Sequence, residues 1–132
     1  MSKTEEKRTA IKTTNAPGPG GHYSQAIAAG GRVYVSGSGP FDPHTHKIVG
    51  ADIAAQTRQT LKNIGAILEA AGASLKDVVK VTVYLRNIGD FDAMDKAYKE
   101  FFPVDPPART TVEVGLYGAE RLLAVDAEAV KP

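Results

Sequence analysis

The succession of two different periodicities constrains this chain more than any other feature. Residues 51–72, ADIAAQTRQTLKNIGAILEAAG, carry Ile53, Thr57, Leu61, Ile64, Leu68 and Ala71 at spacings of three and four. Such spacing draws one apolar stripe down an α-helix, which Asp52 can cap at its start and Gly72 at its end. The period then drops to two. In DVVKVTVYLR, residues 77–86, Val79, Val81, Val83 and Leu85 alternate with Lys80, Thr82, Tyr84 and Arg86. That alternation gives a strand with one face on a core and the other turned outward. A striped helix and a one-faced strand bury their apolar sides together by packing helix on sheet.

The remaining segments extend this plan. RVYVSG (32–37) is β-branched and aromatic and closes on glycine, so it reads as a strand. DFDAMDKAYKEFF (90–102) predicts a second helix, with Phe91, Met94, Tyr98 and Phe101 or Phe102 inward. RTTVEVGL and LLAVDAEAV predict two more strands joined through YGAE, and TAIKT (9–13) a short edge strand. NAPGPGG (15–21) is a loop, PFDPHTHKIVG (40–50) a turn leading into an extended piece, and residues 1–8 a frayed start. Two helices are too few to cover both faces of such a sheet, so they are expected to share one. The half-polar opposite face then needs a cover, and self-association supplies one.

At 132 residues the chain predicts a single domain spanning 1–132, long enough to bury a core without staples. The net charge of +1, from 16 basic and 15 acidic residues, argues against a general nucleic-acid or membrane-surface binder. The absence of cysteine removes disulfides, thiolate metal sites and cysteine nucleophiles. The charged opening MSKTEEKRT does not read as a signal peptide and no apolar run reaches membrane-spanning length, so a cytoplasmic location is expected.

Several residues are candidates for chemistry. Arg109 follows Pro106, Pro107 and Ala108 and opens a strand, with no acidic residue within three positions on either side. A guanidinium at a rigid strand end suits a carboxylate held by two parallel hydrogen bonds, and no internal acidic partner is expected for it. A solvated strand-end arginine is the plainer reading of the same position. Tyr23 follows a glycine-rich turn in PGGHYSQAI, which lacks the lysine and spacing of a phosphate-binding loop. Ser36 and Gly37 end a strand in VSGSGP, where a glycine allows close backbone approach to a ligand. Tyr34 stands two before Ser36, so the G-x-S-x-G nucleophile elbow is missing. Asp42, His44 and His46 suggest a metal at first sight, but a proline-bounded turn with only His22 elsewhere makes no structural metal site. Asp126 and Glu128 share one face of the last strand, as a general acid or base or as a solvated face.

GHYSQAI, VSGSGPFDP, the block from Ala51 to Phe102 and PPARTTVEV together resemble the RidA/YjgF family of enamine/imine deaminases. The similarity runs from about residue 10 to the end. It implies an α+β, chorismate-mutase-like fold, a mixed sheet with two helices on one face, assembled as a homotrimer with sites in the clefts between subunits. It implies that Arg109 binds the carboxylate of a 2-imino acid or enamine, and that Tyr23, Ser36, Gly37 and Thr111 line the site. Asp95 stands where the family often has asparagine, Thr111 where it often has cysteine, and Asp126 is matched with its C-terminal glutamate. The implied reaction releases ammonia and a 2-keto acid from substrates such as 2-aminoacrylate, with Asp126 activating water and with no metal or organic cofactor. A non-catalytic trimer that binds small carboxylates is the alternative, and a ribonuclease the third reading.

Overall fold

The computed structural model describes residues 7–132; the first six residues of the expected frayed start lie outside that range. The chain forms β1 (Thr9–Ile11), β2 (Ala26–Ala29), β3 (Arg32–Ser38), α1 (Ile53–Ala70), β4 (Val78–Leu85), α2 (Phe91–Lys99), β5 (Ala108–Glu113) and β6 (Leu123–Val130). Single 3₁₀ turns precede β4 and α2. One six-stranded sheet has the order β1-β2-β3-β6-β4-β5. β4 and β5 run parallel, linked by α2, and every other pair is antiparallel. Both helices pack on one face, as the sequence predicts.

α1 owes its place to its stripe. All six residues of the expected series are buried, with Leu68 fully so. Asp52 accepts a hydrogen bond from the Ala55 amide at 2.8 Å, satisfying one of the first-turn donors that a helix leaves open. Gly72, at φ +85°, carries the chain out through the left-handed region. Against this stripe stand Val33 and Val35 of β3, Val81, Val83 and Leu85 of β4, and Val125 and Ala127 of β6. Burying a leucine or isoleucine of this kind contributes roughly 1.5–3 kcal/mol. α2 adds Met94, Tyr98 and, just beyond its end, Phe102.

Two details differ from the sequence reading. Val79 does not face the core. The pairings Val78↔Ala129 and Lys80↔Glu128 leave one extra residue on β4. This bulge turns Val78 inward and leaves Val79 42% exposed. The second is β2, which the loop-like composition around it hid. It pairs with β1 on one side and β3 on the other. Gln25, just before β2, is buried and braces the preceding loop: its side chain accepts from the Thr13 amide at 2.8 Å and donates to the Pro17 carbonyl at 2.8 Å. The face away from the helices carries Tyr34, Glu128, Lys80, Thr82, Asp126 and Tyr84, the half-polar surface the alternation predicts.

Candidate functional site

Most candidate residues fall into two groups three strands apart in the sheet, with Asp126 outside both. The first is built on β5 and α2. Parallel register sets Arg109 beside Val81 and Thr111 beside Val83, so both side chains lie on the helix face of the edge strand. There the Arg109 guanidinium lies 4.6 Å from the Tyr98 ring centre and 5.3 Å from that of Phe91. Its Nη1 donates to Asp95 Oδ1 at 2.7 Å. The expectation of no internal acidic partner is therefore corrected. Sequence distance concealed the partner, because α2 crosses over the edge strand and brings Asp95 onto a residue fourteen positions later. The Arg109 side chain keeps 19% of its surface exposed, and Asp95 keeps 51%. Burial pushes the Tyr98 phenol up to about 12, against the opposing pull of the Arg109 charge. Its hydroxyl is buried without a hydrogen-bond partner.

The second group surrounds a cleft of about 250 Å³ between the loop before β2, the end of β3 and α1. Tyr23, Ser36 and Gly37 all line it. Tyr23 is 46% exposed rather than a core aromatic, and its hydroxyl accepts from the Gly20 amide at 3.1 Å. The Ser36 hydroxyl donates to the Ser24 carbonyl at 2.7 Å and that of Ser38 to the Ser36 carbonyl at 3.0 Å, which ties strand end to loop. Between the pairs Val35↔Ala127 and Ser38↔Val125, β3 has one extra residue. Ser36 and Gly37 thus form a bulge opposite Asp126.

Asp126 lies on the outer face, where its Oδ2 accepts a hydrogen bond from the Tyr84 hydroxyl at 2.8 Å. That bond and burial raise the Tyr84 phenol above its ordinary range. Asp126, Arg109, Thr111 and Asp95 are not in the cleft wall. From β3 to β5 the sheet crosses β6 and β4, about 14 Å at three strand spacings. One chain therefore assembles Tyr23, Ser36 and Gly37 but does not bring Arg109 to them.

The Asp42 carboxylate accepts from the His44 and Thr45 amides at 2.8 and 2.9 Å, and those bonds lower its pKa. The histidine-rich turn is thus organised by an aspartate folded back on its own backbone. Sequence reasoning missed two residues of the cleft. Asn63 donates to the Gly39 and Phe41 carbonyls at 3.0 and 2.9 Å and fixes the far wall. Arg121 is 8% exposed and enters the cleft from the loop between β5 and β6. In sequence both look like ordinary surface residues of a helix and a turn.

Comparison with known proteins agrees with this architecture. The family model described as Endoribonuclease L-PSP matches residues 13–131. A RutC family protein of Pyrococcus horikoshii is 52% identical over 121 residues, covering 92% of this chain and 96% of that protein. The human protein named 2-iminobutanoate/2-iminopropanoate deaminase is 37% identical over 124 residues, covering 94% of this chain and 90% of the human one. The crystal structure of Escherichia coli TdcF with bound serine aligns with a TM-score of 0.88 at 36% identity, over 94% of this chain and 99% of that one. With a matching family model over nearly its whole length and relatives of this identity, the chain belongs to the RidA/YjgF family and has its YjgF-like α+β fold.

Proposed function

We propose that this protein hydrolyses reactive 2-enamine and 2-imino acids, such as 2-aminoacrylate and its tautomer 2-iminopropanoate, to 2-keto acids and ammonia. The observation that carries the reading is Arg109. Its guanidinium is held against two aromatic rings at a strand end, with one nitrogen on Asp95 and no other acceptor among the described residues. A planar fork fixed in this way suits the carboxylate of a small acid. The human relative named as an imine deaminase, and TdcF with serine bound, support the same substrate class.

In this reading the site closes between two copies of a homotrimer. Arg109 of one subunit holds the substrate carboxylate at the cleft of the next, where Tyr23, Ser36 and Gly37 contact it. An enamine first tautomerises to the imine. Water adds to C2 of the protonated imine and gives a proton to Asp126. Asp126 returns that proton to the carbinolamine nitrogen, which leaves as ammonia while the hydroxyl gives its own proton to Asp126 and the C–O bond becomes the carbonyl of the keto acid. Thr111 and Asp95 border the carboxylate end.

The test is ammonia release from imines generated in situ by an amino-acid oxidase. Purified protein should accelerate it, and Arg109→Ala should abolish the acceleration. Asp126→Asn should abolish turnover while keeping 2-ketobutyrate affinity. Equal release with and without protein would overturn the deaminase reading. A second reading, a trimer that binds small carboxylates without turnover, is favoured by the engagement of Asp126 Oδ2 with Tyr84. Retained 2-ketobutyrate binding without ammonia release would select it. The ribonuclease reading has the family model's description behind it, but a net charge of +1 offers little to a polyanion.

A further inference from the structure

Arg121 is a buried cation without an anion. Its Nε donates to the Leu123 carbonyl at 3.2 Å, and no carboxylate among the described residues approaches its guanidinium. The Phe41 and Tyr117 rings lie 5.6 and 5.4 Å from its Cζ. Its terminal nitrogens have no acceptor among the described residues, and the side chain lines the cleft. The cleft wall itself contains no aspartate or glutamate. An arginine does not relieve such burial by losing its proton. Burying a charge unpaired is strongly unfavourable.

The surroundings are built to hold it there. Gln56 donates to the Glu120 carbonyl at 3.0 Å and accepts from the Leu122 amide at 2.9 Å, clamping the backbone on both sides of Arg121. Arg86 donates to the Arg121 carbonyl at 2.7 Å. Gly39 leaves room: a Cβ there would come within 2.6 Å of the Phe41 ring and 3.1 Å of Arg121 Nε. Loop, helix and strand end therefore converge on one guanidinium in a mostly apolar cleft.

We propose that Arg121 binds a second carboxylate, the side-chain carboxylate of a dicarboxylic 2-imino or 2-keto acid. This deepens the function proposed above and rests on it. Arg109 of an adjacent copy takes the carboxylate next to the imine, and Arg121 takes the distal one. The cleft holds about eight water volumes, enough for an acid of roughly four or five carbons. A carboxylate fits better than a phosphate. The Ser36 and Ser38 hydroxyls already donate to main-chain carbonyls, which leaves the planar Arg121 fork with the Tyr23 and His46 side chains as the donors of the wall.

Calorimetric titration of the full chain with 2-oxoglutarate, oxaloacetate, 2-ketobutyrate and inorganic phosphate tests this. The parent should bind a dicarboxylic keto acid at least tenfold more tightly than 2-ketobutyrate. Arg121→Gln should erase that preference while leaving 2-ketobutyrate affinity within about twofold. Arg121→Lys, which keeps the charge and loses the fork, should retain only part of it. Equal affinities in the parent would overturn the proposal whatever the variants do. So would a preference that survives in Arg121→Gln, or phosphate binding as tight as the dicarboxylate that disappears with Arg121. Should Arg121→Gln not fold, thermal melts identify this and Arg121→Lys decides by the same preference ratio. Failure of the underlying reading looks different: Arg109→Ala would then leave 2-ketobutyrate affinity unchanged while the dependence on Arg121 persisted.

Discussion

Asp95 and Arg109 make a pair whose balance a ligand must disturb. The carboxylate at 2.7 Å occupies one corner of the fork that a substrate carboxylate would use. Replacing Asp95 with asparagine keeps an acceptor of the same shape but removes a competing charge. Asp95→Asn is therefore expected to bind 2-ketobutyrate about fivefold more tightly by calorimetry, with little change in melting temperature, because the pair is half exposed on the aspartate side and contributes no more than about 1 kcal/mol. Tyr98 beneath the same guanidinium gives a second expectation. Its phenol pKa is raised to about 12 in the folded chain against an ordinary 10. The folded state then binds more protons than the unfolded state between those values, so stability contributed by the neutral phenol is intact below pH 10 and falls as pH rises toward 12. Tyr98→Phe should remove that part of the alkaline loss in denaturant titrations compared at pH 8 and 11. At pH 8 it should be neutral or up to about 1 kcal/mol stabilising, because the hydroxyl it deletes is buried and unpaired. Little of this was legible in the sequence. Arg109 stood out because prolines precede it and no acid is near it in sequence, yet its partner came from another element. Arg121 was invisible: its burial depends on Gln56, more than sixty positions away.

Elements were easier to read where one periodicity ran long. The α1 stripe and the alternation of Val81, Val83 and Leu85 set helix on sheet, and all of them are buried. The errors lie where periodicity is short or broken. β2 is AIAA, four residues without a polar alternation, and only its two partners make it a strand. Val79 was placed on the wrong face because a bulge adds one residue, and a one-residue shift reverses every side chain before it. The start of α1 was readable from one side chain. Asp52→Ala removes the bond to the Ala55 amide and should lower unfolding free energy by about 1 kcal/mol, while Asp52→Ser or Asp52→Asn should restore most of it in urea titrations.

At the scale of the whole molecule, a single chain holds its two groups of candidate residues about three strands apart, and its outer sheet face is half-polar. In the proposed reading a second copy brings the two groups together and covers that face. Sedimentation equilibrium is expected to give three times the 14.0 kDa chain mass. A species of one chain mass at micromolar concentration would remove the shared-cleft reading, and with it the proposed roles of Arg109 and Arg121 on one substrate. Tyr34→Glu would place a second carboxylate beside Glu128 on the outer face, and burying that charge pair against another copy should weaken assembly without touching the core.

The last strand of the chain sits at the middle of the sheet. β6 pairs with β3 on one side and with β4 on the other, so it alone joins the N-terminal three strands to the β4–β5 pair. During synthesis, nothing made earlier closes this gap. A nascent chain halted after residue 120 holds a meander and a helix-linked strand pair with no ladder between them, and an amphipathic helix lacking part of the surface it covers. Such a chain is expected to remain open to protease digestion until β6 has been made and can pair. A frameshift or truncation that removes β6 is therefore expected to cost the whole fold rather than one strand.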